Sequence, residues 1–300
     1  MSDLEALEAT TRAFRALDYR YGGGYCHTPL AALASWTVLL REGSVAPRLR
    51  RRLCRGLADL HNLLAWTEFD SGRDGSALRS FDVAAELAGE AGDHDLLANV
   101  SYRRGRLHLH RGSVDDALAE FDRGQDAAAR AVLSINQAWA WAMRADESAA
   151  LRYLGHAIDA FPGEASAAPW TRFFDANDLA AMTGTVRVEL GRTVDRHHAV
   201  LAIPFLDDAV AAYGPEMSRS RSLTQIMLAL AHTLGRDTEA AARVGAEAIS
   251  LAREIRSVRA KGRLRPLEAA LRARPGSRAG GELLTRIAEF RAEPGDVPAG

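Results

Sequence analysis

The side chains with most to offer chemically recur at helical spacing on three consecutive segments. They are Asn62, Trp66, Phe69 and Asp70, then Asn99, Tyr102, Arg103 and Arg106, then Trp139 and Met143. Aromatic rings with a polar edge anchor a peptide or small ligand by burying area at small entropic cost. Arginine beside asparagine can hold a carboxylate or an extended backbone. The chemistry on offer is recognition. A second use of the rings stands beside it, because Trp66 and Trp139 could equally pack between repeats or against the C-terminal half. Trp170, Phe173, Phe174 and Asp175 follow a proline-containing break, where aromatics more often lock two blocks together than bind a ligand.

Catalytic patterns are missing from the sequence. His108 and His110 are two apart, which on a helix separates them by ~200° and prevents shared ligation. His197 and His198 are adjacent, with Asp195 or Asp207 as available partners after folding. Nothing reads as HExxH, and no carboxylate pair stands at a diagnostic spacing. Gly22-Gly23-Gly24 is not followed by Lys-Ser/Thr and reads as a flexible turn rather than a phosphate cradle. No Gly-x-Ser-x-Gly or Cys/His arrangement supports covalent catalysis. Cys26 and Cys54 lack CxxC spacing, so neither a disulfide framework nor structural zinc is expected. No catalytic residue, cofactor or metal is assigned.

Two basic runs invite a phosphate backbone. RLRRRLCR, residues 48 to 55, carries five arginines and no acid, and its alternative is a solvated face turned to acidic neighbours. Arg253 to Arg278 holds nine basic and two acidic residues. Without interleaved aromatics for base stacking or a recognition-helix hairpin, direct nucleic-acid binding is disfavoured. The net charge of −1 agrees, since the whole molecule attracts neither sign. Lys261 is the only lysine, which with the Ala, Leu, Gly and Asp content reads as high-GC codon bias.

These residues need elements to position them. Apolar residues recur at i, i+3, i+4 and i+7 along nearly the whole chain, broken by short Gly, Asp or Pro stretches, while β-branched alternation is scarce. An Ala-x3-bulky-x2-small pattern then repeats at Ala77/Phe81/Ala84, Ala117/Phe121/Gly124 and Ala150/Leu154/Ala157. It recurs more loosely at Ala202/Leu206/Ala209 and Ala241/Gly245/Ala248. Twelve residues before four of the leading alanines stand Ala65, Gly105, Ala138 and Ala229, small enough to let two helices approach. Turns fall at Gly72, Gly112, Ala145 and Gly235, where a helix end favours a left-handed residue. Helix, tight turn, helix at roughly 33 to 40 residues is the tetratricopeptide spacing. The expected fold is an all-α, tetratricopeptide-like α-solenoid of stacked antiparallel hairpins with about 12 to 14 helices.

Residues 1–45 are expected to form lead-in helices split by RYGGGYCHTP, whose glycines and Pro29 cannot continue a helix. Repeats occupy 46–160, a Pro-rich break covers 161–170, and a second helical block runs to 292. Its hairpin near 175–213 is the longest, with extra residues at 192–198. Residues 293–300 read as a disordered tail. No segment has the apolar core of a signal peptide or a run of ~20 apolar residues, so a cytoplasmic protein away from membranes is expected.

Four blocks, LEATTRAFRALDYRYGGGY, LLAWTEFDSGRDGSALRSFDVAAELAGEAGD, PWTRFFDANDLAAMTGTVRVELGR and REIRSVRAKGRLRPLEAAL, resemble the C-terminal helical region of actinobacterial helix-turn-helix transcriptional regulators. The resemblance implies a tetratricopeptide-like sensory half. The DNA-binding head of that family has no counterpart here, so a headless relative or a trimmed piece is expected. The leading expectation is therefore a regulatory module recognising a peptide, small molecule or partner helix in the concave groove. Two rivals remain, an enzyme or auxiliary protein of a biosynthetic pathway and a scaffold pairing two copies.

Overall fold

The computed structural model describes residues 3–42, 46–124, 129–161, 169–254 and 258–293, and every regular element among them is helical. The α-helices are α1 (Asp3–Tyr21), α2 (His27–Glu42), α3 (Pro47–Asp70), α4 (Asp74–Ala91), α5 (His94–Arg111), α6 (Val114–Arg123), α7 (Arg130–Met143) and α8 (Glu147–Ala160). The second block continues with α9 (Ala176–Thr193), α10 (His197–Ala212), α11 (Ser218–Leu234), α12 (Thr238–Glu254), α13 (Val258–Arg272) and α14 (Arg278–Ala292). Short 3-10 turns sit at Gly23–Tyr25, Pro169–Thr171 and Pro215–Met217. The break at 162–168 and the tail from 294 lie outside the described residues.

Helix starts follow from local chemistry. Asp93, Asp146, Asp175 and Asp237 each accept a hydrogen bond from the backbone N–H three residues on, satisfying a donor that the first turn cannot. Helix ends follow too. Gly72, Gly92 and Gly112 are left-handed, and so is Ala145 with φ 60°. Gly235 departs from expectation: its φ is −74°, and Arg236 with φ 72° makes the turn instead. Pro29 lies within the first turn of α2 rather than outside it, because a first-turn residue has no intrahelical acceptor to lose. The glycine turn before it is packed, since a Cβ on Gly23 would stand 2.8 Å from the Thr67 Cα in α3.

Consecutive helices pair as α3/α4, α5/α6, α7/α8, α9/α10 and α11/α12. The small residues seat these pairs. Ala65, Ala138 and Ala229 are fully buried, and a Cβ on Gly105 would come within 2.4 Å of the Phe121 ring. The same contact recurs in the fourth pair between Gly184 and Leu206. Gly184 precedes Ala202 by eighteen residues instead of twelve, and the six extra residues lengthen α9 and α10 around a three-residue turn at 194–196. The core runs as successive clusters, from α1–α4 through α5–α9 to α10–α14, as stacking of hairpins demands.

The superhelix closes on itself. Val258 at the head of α13 meets the α3–α4 turn, where a Cβ on Gly72 would lie 2.9 Å from it. Gly262 in α13 seats on the His110 ring of α5, and the 3-10 turn at Pro215–Met217 packs against α1.

Two substitutions of opposite sign test this packing. Gly105→Ala drives a methyl into the fully buried Phe121 ring and is expected to cost about 2 kcal/mol in urea unfolding. Ala145→Gly removes a left-handed Cβ and is expected to gain about 1 kcal/mol in the same assay.

Candidate functional site

Inside the closed superhelix lies a cavity of about 170 Å³. The inner faces of both blocks build its wall. From the first block come Asp18, Trp66, Tyr102, Arg103, Arg106 and Asn136, and from the second Asp178, Met182, Tyr213, Arg219, Arg259 and Arg263, with Phe173 and Phe174 at the junction. The register explains the meeting. Tyr102, Arg103 and Arg106 stand at −3, −2 and +1 from the packing residue Gly105, and Ala181, Met182 and Thr185 stand at the same offsets from Gly184.

Trp66, Tyr102, Arg103 and Arg106 thus reach the cavity. The other predicted residues are placed behind or beside it. Asn62 is fully buried and donates to the Asn99 side-chain oxygen at 2.6 Å, while its carbonyl accepts from Arg103 at 3.1 Å. Asn99 faces a neighbouring hollow with Trp170. Phe69 is 2% exposed and packs edge-on against Trp66 and His110. Trp139 is 4% exposed and Met143 packs on the same core cluster. Trp170 and Phe173 stack near Tyr102, at ring-centroid distances of 5.5 and 5.8 Å, so Phe173 both joins the blocks and lines the cavity.

Asp70 is the hub. It is 5% exposed, ion-pairs with Arg219, and lies 3.3 Å from the Arg259 guanidinium. Arg219 also reaches Asp18 at 3.5 Å. Burial pushes the Asp18 carboxyl up, opposed by Arg219. Burial lowers Arg259 to about 10, which leaves it charged near neutrality, and it lowers Arg263 well below its ordinary value with the help of Arg106 and Arg259. His110, under α13, is brought to about 4 by burial and by Arg263, Arg259 and Arg265, and so stays neutral at pH 7.

The guanidiniums are arranged in two matching sets. Arg103 of α5 and Arg259 of α13 stand over the Trp66 ring at 5.2 and 5.1 Å. Arg106 of α5 and Arg263 of α13 stand over the Trp139 ring at 5.3 and 4.1 Å. Cation–π attraction holds each pair of like charges on a shared ring.

Sequence reasoning missed Arg219, Arg259, Arg263, Asp178 and Tyr213. Arg259 and Arg263 belong to the basic run Arg253 to Arg278, considered only as a candidate phosphate contact, yet α13 turns both inward. The run at 48–55 does lie on a solvated face, with Arg52 bonded to Glu8 and Arg55 paired with Asp93. His198 pairs with Glu147 at 3.2 Å rather than with Asp195 or Asp207. Gly184 was the available signal for Asp178, obscured by its eighteen-residue offset. Compared with known proteins, the chain matches no protein-family model and no curated protein. Among the described residues no helix is long and apolar enough to cross a membrane.

Asp178 gives the site a pH dependence. Its carboxyl is pushed up to about 6 by burial, against the Tyr213 hydroxyl, which donates to it at 2.9 Å. The fold therefore favours the protonated acid, and that stabilisation is complete below the ordinary value of 3.8 and lost as pH rises through 6. Asp178→Asn is expected to exceed the parent in stability by on the order of 2 kcal/mol at pH 7.5 and to match it at pH 4, as read by denaturant unfolding at both values.

Proposed function

We propose that this chain is a regulatory binding module whose tetratricopeptide-like inner surface takes a small molecule in the central cavity. One observation supports this reading over a peptide or partner helix: the position along the groove that an extended ligand would occupy is taken by α13, whose Arg259 and Arg263 already cover Trp66 and Trp139. What remains beneath α13 is a partly open space of about 170 Å³, close to the ~150 Å³ that accepts a single aromatic ring, beside the more open hollow at Asn99 and Trp170. Aromatic walls with a few fixed polar groups are the ordinary composition of such sites.

A ligand there touches both blocks at once. It contacts α5 on one side and α11 and α13 on the other, so it binds the closed superhelix better than an opened one, and occupancy biases curvature. Regulation of a partner through that curvature is the consequence carried over from the resemblance to sensory regions of transcriptional regulators. A second reading, an enzyme of a biosynthetic pathway, gains support from the Asp178 carboxyl, which titrates near 6 and shares the cavity with the arginines.

Small-metabolite fractions screened by thermal shift and intrinsic tryptophan fluorescence test the proposal. The expected result is stabilisation by discrete compounds and none by unstructured peptides of ten or more residues. Trp66→Ala and Arg106→Ala should each weaken a stabilising compound at least ~10-fold, the loss of one good contact. Unchanged binding in both variants would remove the cavity from consideration. Turnover of that compound, abolished by Asp178→Asn, would move the assignment to the enzyme.

A further inference from the structure

The cavity carries more positive charge than its carboxylates balance. Five guanidiniums line it, Arg103, Arg106, Arg219, Arg259 and Arg263, against the carboxylates of Asp18 and Asp178, with Asp70 immediately behind. The protein answers these charges unevenly. Asp70 and Asp18 engage Arg219, Asp70 also faces Arg259, and the Asn62 carbonyl accepts from Arg103. Among the described residues Arg106 hydrogen-bonds only to neutral groups, the Asn136 side-chain oxygen at 3.2 Å and the Met182 sulfur at 3.8 Å.

Arg263 has less still. Among the described residues it makes no hydrogen bond or ion pair, and its guanidinium stands over the Trp139 ring. Glu189, the acid that acts on it from a distance, is itself bonded to Arg192. Two like charges held on one ring in a partly desolvated site repel each other, and among the described residues neither forms an ion pair, Asp178 acting on Arg106 and Glu189 on Arg263 only from a distance. Stability alone would not select this arrangement. Residues that cost stability without a structural return concentrate where a ligand supplies the missing term.

Resting on the small-molecule reading above, we infer that Arg106 and Arg263 form a binding site for an oxyanion head group, a carboxylate or a phosphate, on a ligand with an aromatic or apolar body. The planar guanidinium fork matches both oxyanions bidentately, and an anion between the two arginines converts their repulsion into attraction. The body of the ligand lies against Tyr102, Phe173 and Trp66, the aromatic part of the same wall. Because Arg106 belongs to α5 and Arg263 to α13, the bound anion also pins the two blocks together. The head group is thus a latch as well as an anchor.

Three probes that share a phenyl body separate the possibilities: benzoate, phenyl phosphate and neutral benzamide, titrated calorimetrically into the full chain at fixed ionic strength. At least one anion is expected to bind ~10-fold or more tighter than benzamide, and which one does so assigns the head group. Arg263→Met and Arg106→Met should each erase that preference, whereas Arg272→Met, on an exposed arginine paired with Glu268, should keep it. Equal binding of all three probes, or a preference surviving both inner variants, overturns the anion site while leaving the cavity as a neutral-ligand site. Failure of every probe to bind removes the cavity reading and this inference with it. A second readout is independent of ligand. Arg263→Met should raise the Tm of the empty protein by relieving unanswered charge, and a Tm lowered as far as in Arg259→Met, which breaks the contact with Asp70, would mark Arg263 as merely structural.

Discussion

A single buried carboxylate organises this molecule. Asp70 ends α3 in the first hairpin, and its two arginine partners come from α11 and α13, on the far side of the superhelix. A buried charge left without partners costs several kcal/mol, so the C-terminal block must arrive for the first hairpin to be stable as it stands. The requirement is reciprocal, because Arg219 and Arg259 are equally expensive to bury alone. Mutual need of this kind fixes where α13 lies far more sharply than apolar packing would. Everything distinctive about the cavity follows, since α13 carries two of the five guanidiniums that face it and covers Trp66 in its wall and Trp139 behind it.

The hairpins were legible in the sequence because each is encoded locally. The small residue at Gly105, the bulky partner sixteen residues later at Phe121, and the left-handed turn at Gly112 all sit within one unit. Identical physics operates in every unit, so the pattern repeats and can be counted. The inner-face residues of α3 and α5 followed from that register, and Trp66, Tyr102, Arg103 and Arg106 all reach the cavity. In α9 the same rule holds about Gly184, but six added residues shift its distance from Ala202 and hide it from a search at fixed spacing.

Closure was not legible, and the reason is physical. It rests on a few contacts between positions remote in sequence, such as Asp70 with Arg219 and Gly262 with His110. These leave no periodic trace. An arginine that faces inward looks, in a list of residues, like its exposed neighbours in the run from Arg253 to Arg278, and only the direction of α13 distinguishes Arg263 from Arg272. Asp178 and Tyr213 are likewise unremarkable singly, and the raised proton affinity of Asp178 comes from a burial that only the fold creates, against its hydrogen bond from Tyr213.

Ring closure also changes how such a chain comes apart. An open array of helix hairpins is quasi-one-dimensional: each unit touches only its neighbours, and the ends fray while the middle holds. Joining the first hairpin to α11 and α13 removes the free ends from that description. Loss of either end now strands charges at the other, which ties the units into one cooperative transition. Contacts of such sequence separation also form late in folding, because the loop between them must be closed before they return any energy. The array becomes a hoop, and a hoop opens as a whole or not at all.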